Sequence, residues 1–182
     1  METIHLTSET LHNFANEVRQ ATGEDIVRCY QCGNCTAGCP YTEFFDYPVS
    51  QIMRMIQTGQ REKALSSHAI WLCATCETCS TRCPCEIDVA DVMDGLRNIA
   101  YREKRFTEKD IRTFYEAFLA SLKHHGRVFE LEIIARYNLK SGHLLTDADL
   151  GPKVMKQLHF LPKRIKGRDD IARIFKRFTE KK

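Results

Sequence analysis

Eight of the nine cysteines fall into two runs of identical spacing. Cys29, Cys32, Cys35 and Cys39 form C-x2-C-x2-C-x3-C with Pro40 behind them, and Cys73, Cys76, Cys79 and Cys83 repeat it 44 residues later with Pro84. The residues between the thiols differ, Tyr30-Gln31 and Gly33-Asn34 in one run against Ala74-Thr75 and Glu77-Thr78 in the other. What recurs is therefore the placement of sulfur donors. A cubane 4Fe–4S cluster needs four thiolates at the corners of a tetrahedron, and C-x2-C-x2-C on a tight loop reaches three of its irons. In two-cluster ferredoxins the fourth cysteine, the one before proline, ligates the other cluster. On that pattern one cluster takes Cys29, Cys32, Cys35 and Cys83, and the second takes Cys73, Cys76, Cys79 and Cys39. The expected cofactors are two 4Fe–4S clusters held side by side, as an electron relay requires.

Two other uses of cysteine fit less well. Structural zinc typically takes two C-x2-C pairs across a longer spacer, so two full runs over-supply each loop and leave the prolines unexplained. A disulfide scaffold is disfavoured because nine is odd and all nine thiols lie between residues 29 and 85. Cys85, two residues past Cys83, reads as a small apolar residue packed beside a cluster, with a spare ligand as the alternative. Gly33 and Gly38 are expected to let backbone amides turn toward cluster sulfurs, where hydrogen bonds raise the reduction potential. The second run has no glycine and carries Glu77, Thr78, Ser80, Thr81 and Arg82 instead. Unlike loops predict unlike potentials.

The elements that must position these loops read as helices throughout. Thr7 or Ser8 can cap a first helix with Leu11, Phe14 and Val18 on one face, stopped by Gly23. Val49, Ile52, Met53, Ile56 and Leu65 give a helical stripe after Pro48, broken near Gly59. Asp88 is placed to cap a helix carrying Val89, Val92, Met93, Leu96 and Ile99. Thr107 with Asp110 predicts another up to Gly126, Val128 to Leu139 a further one ending near Gly142, Thr146 with Asp149 a start, and Asp169 to Phe178 a basic amphipathic helix. His124 and His125 read as a helix-terminus feature. No stretch alternates cleanly enough for a sheet, so the class is all-α. The division predicted is an N-terminal helix over 1–24, a di-cluster domain over 25–105 and a helical extension with a basic tail over 106–182.

Composition narrows the function further. Hydrophobic residues make up 43% of 182, enough for a buried core. No run of eighteen apolar residues is present, so no transmembrane segment is predicted, and the start lacks the pattern of a secretory signal. The expected compartment is cytoplasmic. The net charge of +3 is uneven, with eleven Lys/Arg against three Asp/Glu from Lys153 to Lys182. Such a tail suggests docking of Lys163, Arg164, Lys166 and Arg168 on an acidic partner. Nucleic acid is not an expected partner, since basic groups there are not interleaved with aromatics. With no G-x-G-x-x-G, no P-loop, no Ser/His/Asp arrangement and no Cys-Cys pair, no catalytic residue is assigned, and the chain passes electrons without transforming a substrate.

Helices before, between and after the two runs make the chain resemble the α-helical ferredoxins, which include the cluster-bearing half of succinate dehydrogenase and fumarate reductase iron–sulfur subunits. No plant-type C-x4-C-x2-C run precedes Cys29. The chain more closely resembles the C-subunit family of soluble heterodisulfide reductases, through C-Y-Q-C-G-N-C-T-A-G-C-P (Cys29 to Pro40), W-L-C-A-T-C-E-T-C-S-T-R-C-P (Trp71 to Pro84) and I-D-V-A-D-V-M-D-G-L-R (Ile87 to Arg97). The resemblance implies an α-helical ferredoxin-like fold and membership of an oxidoreductase complex. In that complex a flavin-containing A subunit bifurcates electrons, and the B subunit splits the coenzyme M–coenzyme B heterodisulfide used in methanogenesis. A hydrogenase or formate dehydrogenase is implied as the electron source. A fumarate reductase-like or glycolate oxidase-like complex is the alternative client.

Overall fold

The computed structural model of the chain describes residues 8–143 and 165–180. Thr7, the Thr146–Asp149 start, Lys163 and Arg164 lie outside them. In chain order the helices among the described residues are α1 (Ser8–Thr22), α2 (Asn34–Ala37), α3 (Val49–Gln57), α4 (Arg61–Leu65), α5 (Ala69–Leu72), α6 (Thr78–Thr81), α7 (Val89–Arg102), α8 (Lys109–His125), α9 (Glu130–Ser141) and α10 (Arg168–Glu180). Short 3-10 turns occupy Ile26–Arg28 and Thr42–Phe44. The described residues contain no strand, and the fold is all-α as predicted. None of the described helices is long and apolar enough to cross a membrane. Contacts divide the chain into two compact units, Met1–Glu108 and Lys109–Lys182.

The first unit contains both cysteine runs. Its core is built by α1, α3 and α7, whose apolar stripes bury Phe14, Val18, Ile52, Met53, Ile56, Val92, Met93 and Leu96. Burying each such side chain is worth about 1.5–3 kcal/mol, which is what holds three amphipathic helices together. Gly95 lets α1 approach α7, because a Cβ there would sit 2.3 Å from Thr22 Cγ2. Gly23 ends α1 in the left-handed conformation at φ +82°, and Gly59 separates α3 from α4 at φ +68°. Asp88 caps α7 by accepting from the Asp91 N–H at 3.0 Å. A cluster of ion pairs ties these helices at the surface: Arg61 holds Glu17 of α1 at 2.7 Å and also Glu103 just past α7. Arg105 pairs with Glu103 at 2.9 Å and with Glu62 of α4.

Asp46 caps α5 from 22 residues upstream, accepting from the Ser67 hydroxyl at 2.6 Å and from the His68 and Ala69 N–H groups at 3.0 and 3.1 Å. Thr107 does not cap α8. Its hydroxyl donates to the Ser66 carbonyl at 3.1 Å, joining the loop after α7 to the end of α4.

Among its described residues the second unit has an α8–α9 hairpin with α10 against α8. The glycines at its turns, Gly126 at φ +75° and Gly142 at φ +80°, stop α8 and α9 where the sequence places the stops. α9 begins at Glu130 rather than Val128, since Phe129 is extended at φ −121° and ψ 104°, with its N–H donating to the Ser121 hydroxyl at 3.0 Å. His124 and His125, at the end of α8, both close on the Glu132 carboxylate of α9, at 3.3 and 2.8 Å.

Candidate metal centre

The two cysteine loops share a backbone as well as a spacing. Gln31 and Thr75, equivalent under the 44-residue shift, have φ of +64° and +51°, and Gly33 and Glu77 have +82° and +61°. Each loop then makes one turn of helix, α2 or α6, and the two turns pack against each other. Gly33 serves its backbone conformation, since a Cβ there would meet nothing within 4 Å. Glu77 adopts the same left-handed state with a side chain, at a cost of about 1–2 kcal/mol. Gly38 has another role than the one expected. Its φ of −94° suits any residue, but a Cβ would lie 2.6 Å from Arg82 Cδ, so the glycine makes room for its own counterpart in the second run.

Each loop helix caps the long helix that follows it. The Thr36 hydroxyl accepts the Ser50 N–H of α3 at 2.9 Å, and the equivalent Ser80 hydroxyl accepts the Ala90 N–H of α7 at 3.0 Å. Beyond the cysteines the equivalence continues with a shift of 40, because Cys39 to Val49 is four residues longer than Cys83 to Val89. Gln57 and Arg97 correspond in this way. Gln57 Nε2 donates to the Ile26 and Cys29 carbonyls at 3.1 and 2.7 Å. Arg97 donates through Nε to Ile70 and through Nη2 to Cys73, at 2.8 and 2.9 Å. Both side chains thus lock the backbone at the first cysteine of a run.

Two cavities result. One is lined by Cys29, Cys32, Cys35 and Cys83, with Met53 and Val89 behind them. The other is lined by Cys39, Cys73, Cys76 and Cys79, with Val49 and Met93 behind. The structure brings the eight predicted residues together in these two groups of four, three from one run and the last from the other. Cys85 lines the first cavity where its counterpart Tyr41 lines the second, and its thiol donates to the Arg28 carbonyl at 3.1 Å.

The donor set suits a polynuclear core. Around one zinc ion, with bonds of about 2.3 Å, four sulfurs would lie within roughly 4 Å of one another. Among the described residues no three His, Cys, Asp or Glu side chains converge on a single-ion site. Thiols that ring a cavity and leave its centre free fit a cube of iron and sulfide. Burial pushes the Cys29, Cys35 and Cys73 thiols up and takes Cys79 to about 11. Cys76, exposed, is drawn down by the Thr78 hydroxyl at 3.4 Å. Thiolates in such apolar walls need metal cations beside them, and a metal-bound thiol is deprotonated outright. Cys32 and Cys76, equivalent residues, are the exposed thiols of their cavities.

The sequence pattern marked every thiol but missed Thr36, Ser80, Gln57 and Arg97. A search for the repeat at a shift of 40 past Val49 would have aligned the last two.

A family model of a 4Fe-4S dicluster domain matches residues 25–87, across both runs, and two 4Fe–4S clusters are the cofactors of this domain. The chain is 37% identical over 87 residues to the C subunit of the H(2):CoB-CoM heterodisulfide,ferredoxin reductase of Methanothermobacter thermautotrophicus, covering 48% of this chain and 47% of that one. It is 41% identical over 100 residues to the iron-sulfur C 2 subunit of the CoB--CoM heterodisulfide reductase of Methanocaldococcus jannaschii, covering 50% and 53%. The aligned part thus spans about half the length of these relatives. Against the C2 subunit of the H(2)/formate:CoB-CoM heterodisulfide,ferredoxin reductase of Methanococcus maripaludis it is 30% identical over 153 residues, covering 80% of this chain and 71% of the relative. A two-cluster domain and an alignment of that extent place the chain, as an iron–sulfur protein of electron transfer, in the family of heterodisulfide reductase C subunits.

Proposed function

We propose that this chain relays electrons through its two clusters from a flavin-containing, electron-bifurcating A subunit to a B subunit that reduces the coenzyme B–coenzyme M heterodisulfide. Cys29, Cys32, Cys35 and Cys83 would hold one cluster, and Cys73, Cys76, Cys79 and Cys39 the other. The observation that carries the reading is the exchange of the fourth thiol between two adjacent cavities. Bound there, 4Fe–4S clusters supply one-electron transfer at thiolate-ligated iron. The protein's part is to hold the thiolates, exclude water behind them with Met53, Val89, Val49 and Met93, and present an exposed edge at Cys32 and at Cys76. One edge for each cluster suits a chain with a donor on one side and an acceptor on the other. Hydrogen or formate is the ultimate electron source in this reading, as the names of two relatives suggest for those proteins. The working compartment is the cytoplasm.

Anaerobic purification of the chain with its untagged partners tests the proposal. The A and B subunits should co-purify, and the chain should carry about eight irons and eight sulfides. A colourless chain, or about four irons, removes the two-cluster relay. Co-purification with a dicarboxylate-reducing flavoprotein in their place assigns the relay to another client.

A further inference from the structure

The two halves of the site match closely, and among their charged differences the half-buried one stands out. Gln57 and Arg97 occupy equivalent places and bind equivalent carbonyls, Ile26 and Cys29 in one half, Ile70 and Cys73 in the other. These bonds need only amide or guanidinium donors, and glutamine supplies them in the first half. The second half makes them with a fixed positive charge whose side chain is 18% exposed. From this we infer that Arg97 sets the order of the two potentials, so that a chain holding one electron keeps it at the cavity lined by Cys73. The inference rests on the reading that both cavities hold clusters.

The neighbouring charges do not cancel the bias. Arg97 is joined by Asp94 at 3.4 Å, but that carboxylate is 45% exposed and pairs with Nη1, whereas the Cys73 carbonyl is bound by Nη2. In the first half the counterpart of Asp94 is Arg54, which donates to Gln57 Oε1 at 3.3 Å. Arg54 is exposed and one side chain further out, so water screens it. Glu77 and Arg82, on the second loop, are exposed as well. Neutral donors to sulfur are balanced, with Gln31 on Cys29 at 3.5 Å and Thr78 on Cys76 at 3.4 Å. A half-buried cation at hydrogen-bond distance from a ligand's own carbonyl is the feature without a counterpart. It favours the more negative, reduced state of the nearby cluster. The transfer is one electron, with no bond made or broken and no proton moved.

Redox titration of the full-length chain with dithionite, followed by electron paramagnetic resonance, reads this directly. The wild type should give two midpoints. R97Q keeps the carbonyl bonds that Gln57 shows to be feasible, and it should lower the higher midpoint by about tenfold in the one-electron equilibrium, ~59 mV, with the other unmoved. Q57R should raise the lower midpoint by a similar factor. Eight irons per chain with neither midpoint moved, or with R97Q shifting the lower one or both alike, overturns the assignment of Arg97 alone. Loss of the two cluster signals in the wild type overturns the two-cluster reading beneath it. R97K, which retains the charge, should keep the wild-type order; if it behaves as R97Q does, the effect is one of bonding and the charge is not its source.

Discussion

At the scale of single residues, the exchanged cysteine gives the sharpest test of the site. Cys39 belongs by sequence to the first run but lines the cavity of the second. C39S should therefore lose the same cluster as C73S and keep the one lost in C29S and C83S. Each variant should retain about four irons, and the surviving resonance signals should pair C39S with C73S. Pairing of C39S with C29S would mean that each run fills its own cluster. Asp46 makes a second residue-level prediction. Burial works to raise its carboxyl, but the Ser67 hydroxyl and the His68 and Ala69 N–H groups outweigh it and hold the group below the usual carboxylate range. A depressed carboxylate contributes stability above its unfolded value near 3.9 and loses it as pH falls through the lower folded value. D46N should cost about 1 kcal/mol in denaturant unfolding at pH 7, and the difference from wild type should shrink below about pH 4. An unchanged difference down to about pH 2 would show that the cap does not depend on the charge.

At the scale of elements, the contact between α1 and α7 depends on one missing methyl group. Alanine at an ordinary helix interior gains about 1 kcal/mol over glycine. At Gly95 the added Cβ would lie 2.3 Å from Thr22 Cγ2, and Thr22 is short, branched and held by its hydroxyl on the Val18 carbonyl at 2.9 Å. Overpacking costs about 1–3 kcal/mol, so the clash outweighs the propensity gain. G95A should lower the midpoint of chemical unfolding, and T22S, which removes the opposing methyl, should restore it in the double variant. A stabilised single variant would show that the helices part freely. The caps from Thr36 and Ser80 act at the same scale, linking each cluster loop to a long helix that walls both cavities.

For the whole molecule, the cysteine chemistry lies entirely in the first unit, and the basic excess lies in the second. Lys166 and Arg168 are exposed at the start of α10, whereas Lys163 and Arg164 lie outside the described residues. If these cations fix the chain on an acidic partner, deleting residues 160–182 should weaken co-purification with that partner, more so at raised salt, and leave the iron content unchanged. Complex formation equal to that of the intact chain would reduce the patch to a solvated face.

Local chemistry carried much of this protein in its sequence alone. Cysteine spacing marked the thiols, Asp88 and the glycines at 23, 126 and 142 marked helix ends, and apolar periodicity marked α3 and α7, because each of these acts within a few residues of chain. Whatever joined distant segments was decided only by the fold. Asp46 reaches α5 across 22 residues, Thr107 leaves its own helix for Ser66, and Gly38 is small because Arg82 lies over it. The equivalence of Gln57 and Arg97 was hidden for a related reason. Four extra residues after Cys39 change the shift from 44 to 40, and a sequence registers that as the end of a repeat. In three dimensions the surplus is taken up between the cysteines and α3, and the helices on either side return to matching positions because packing around two like cavities requires it.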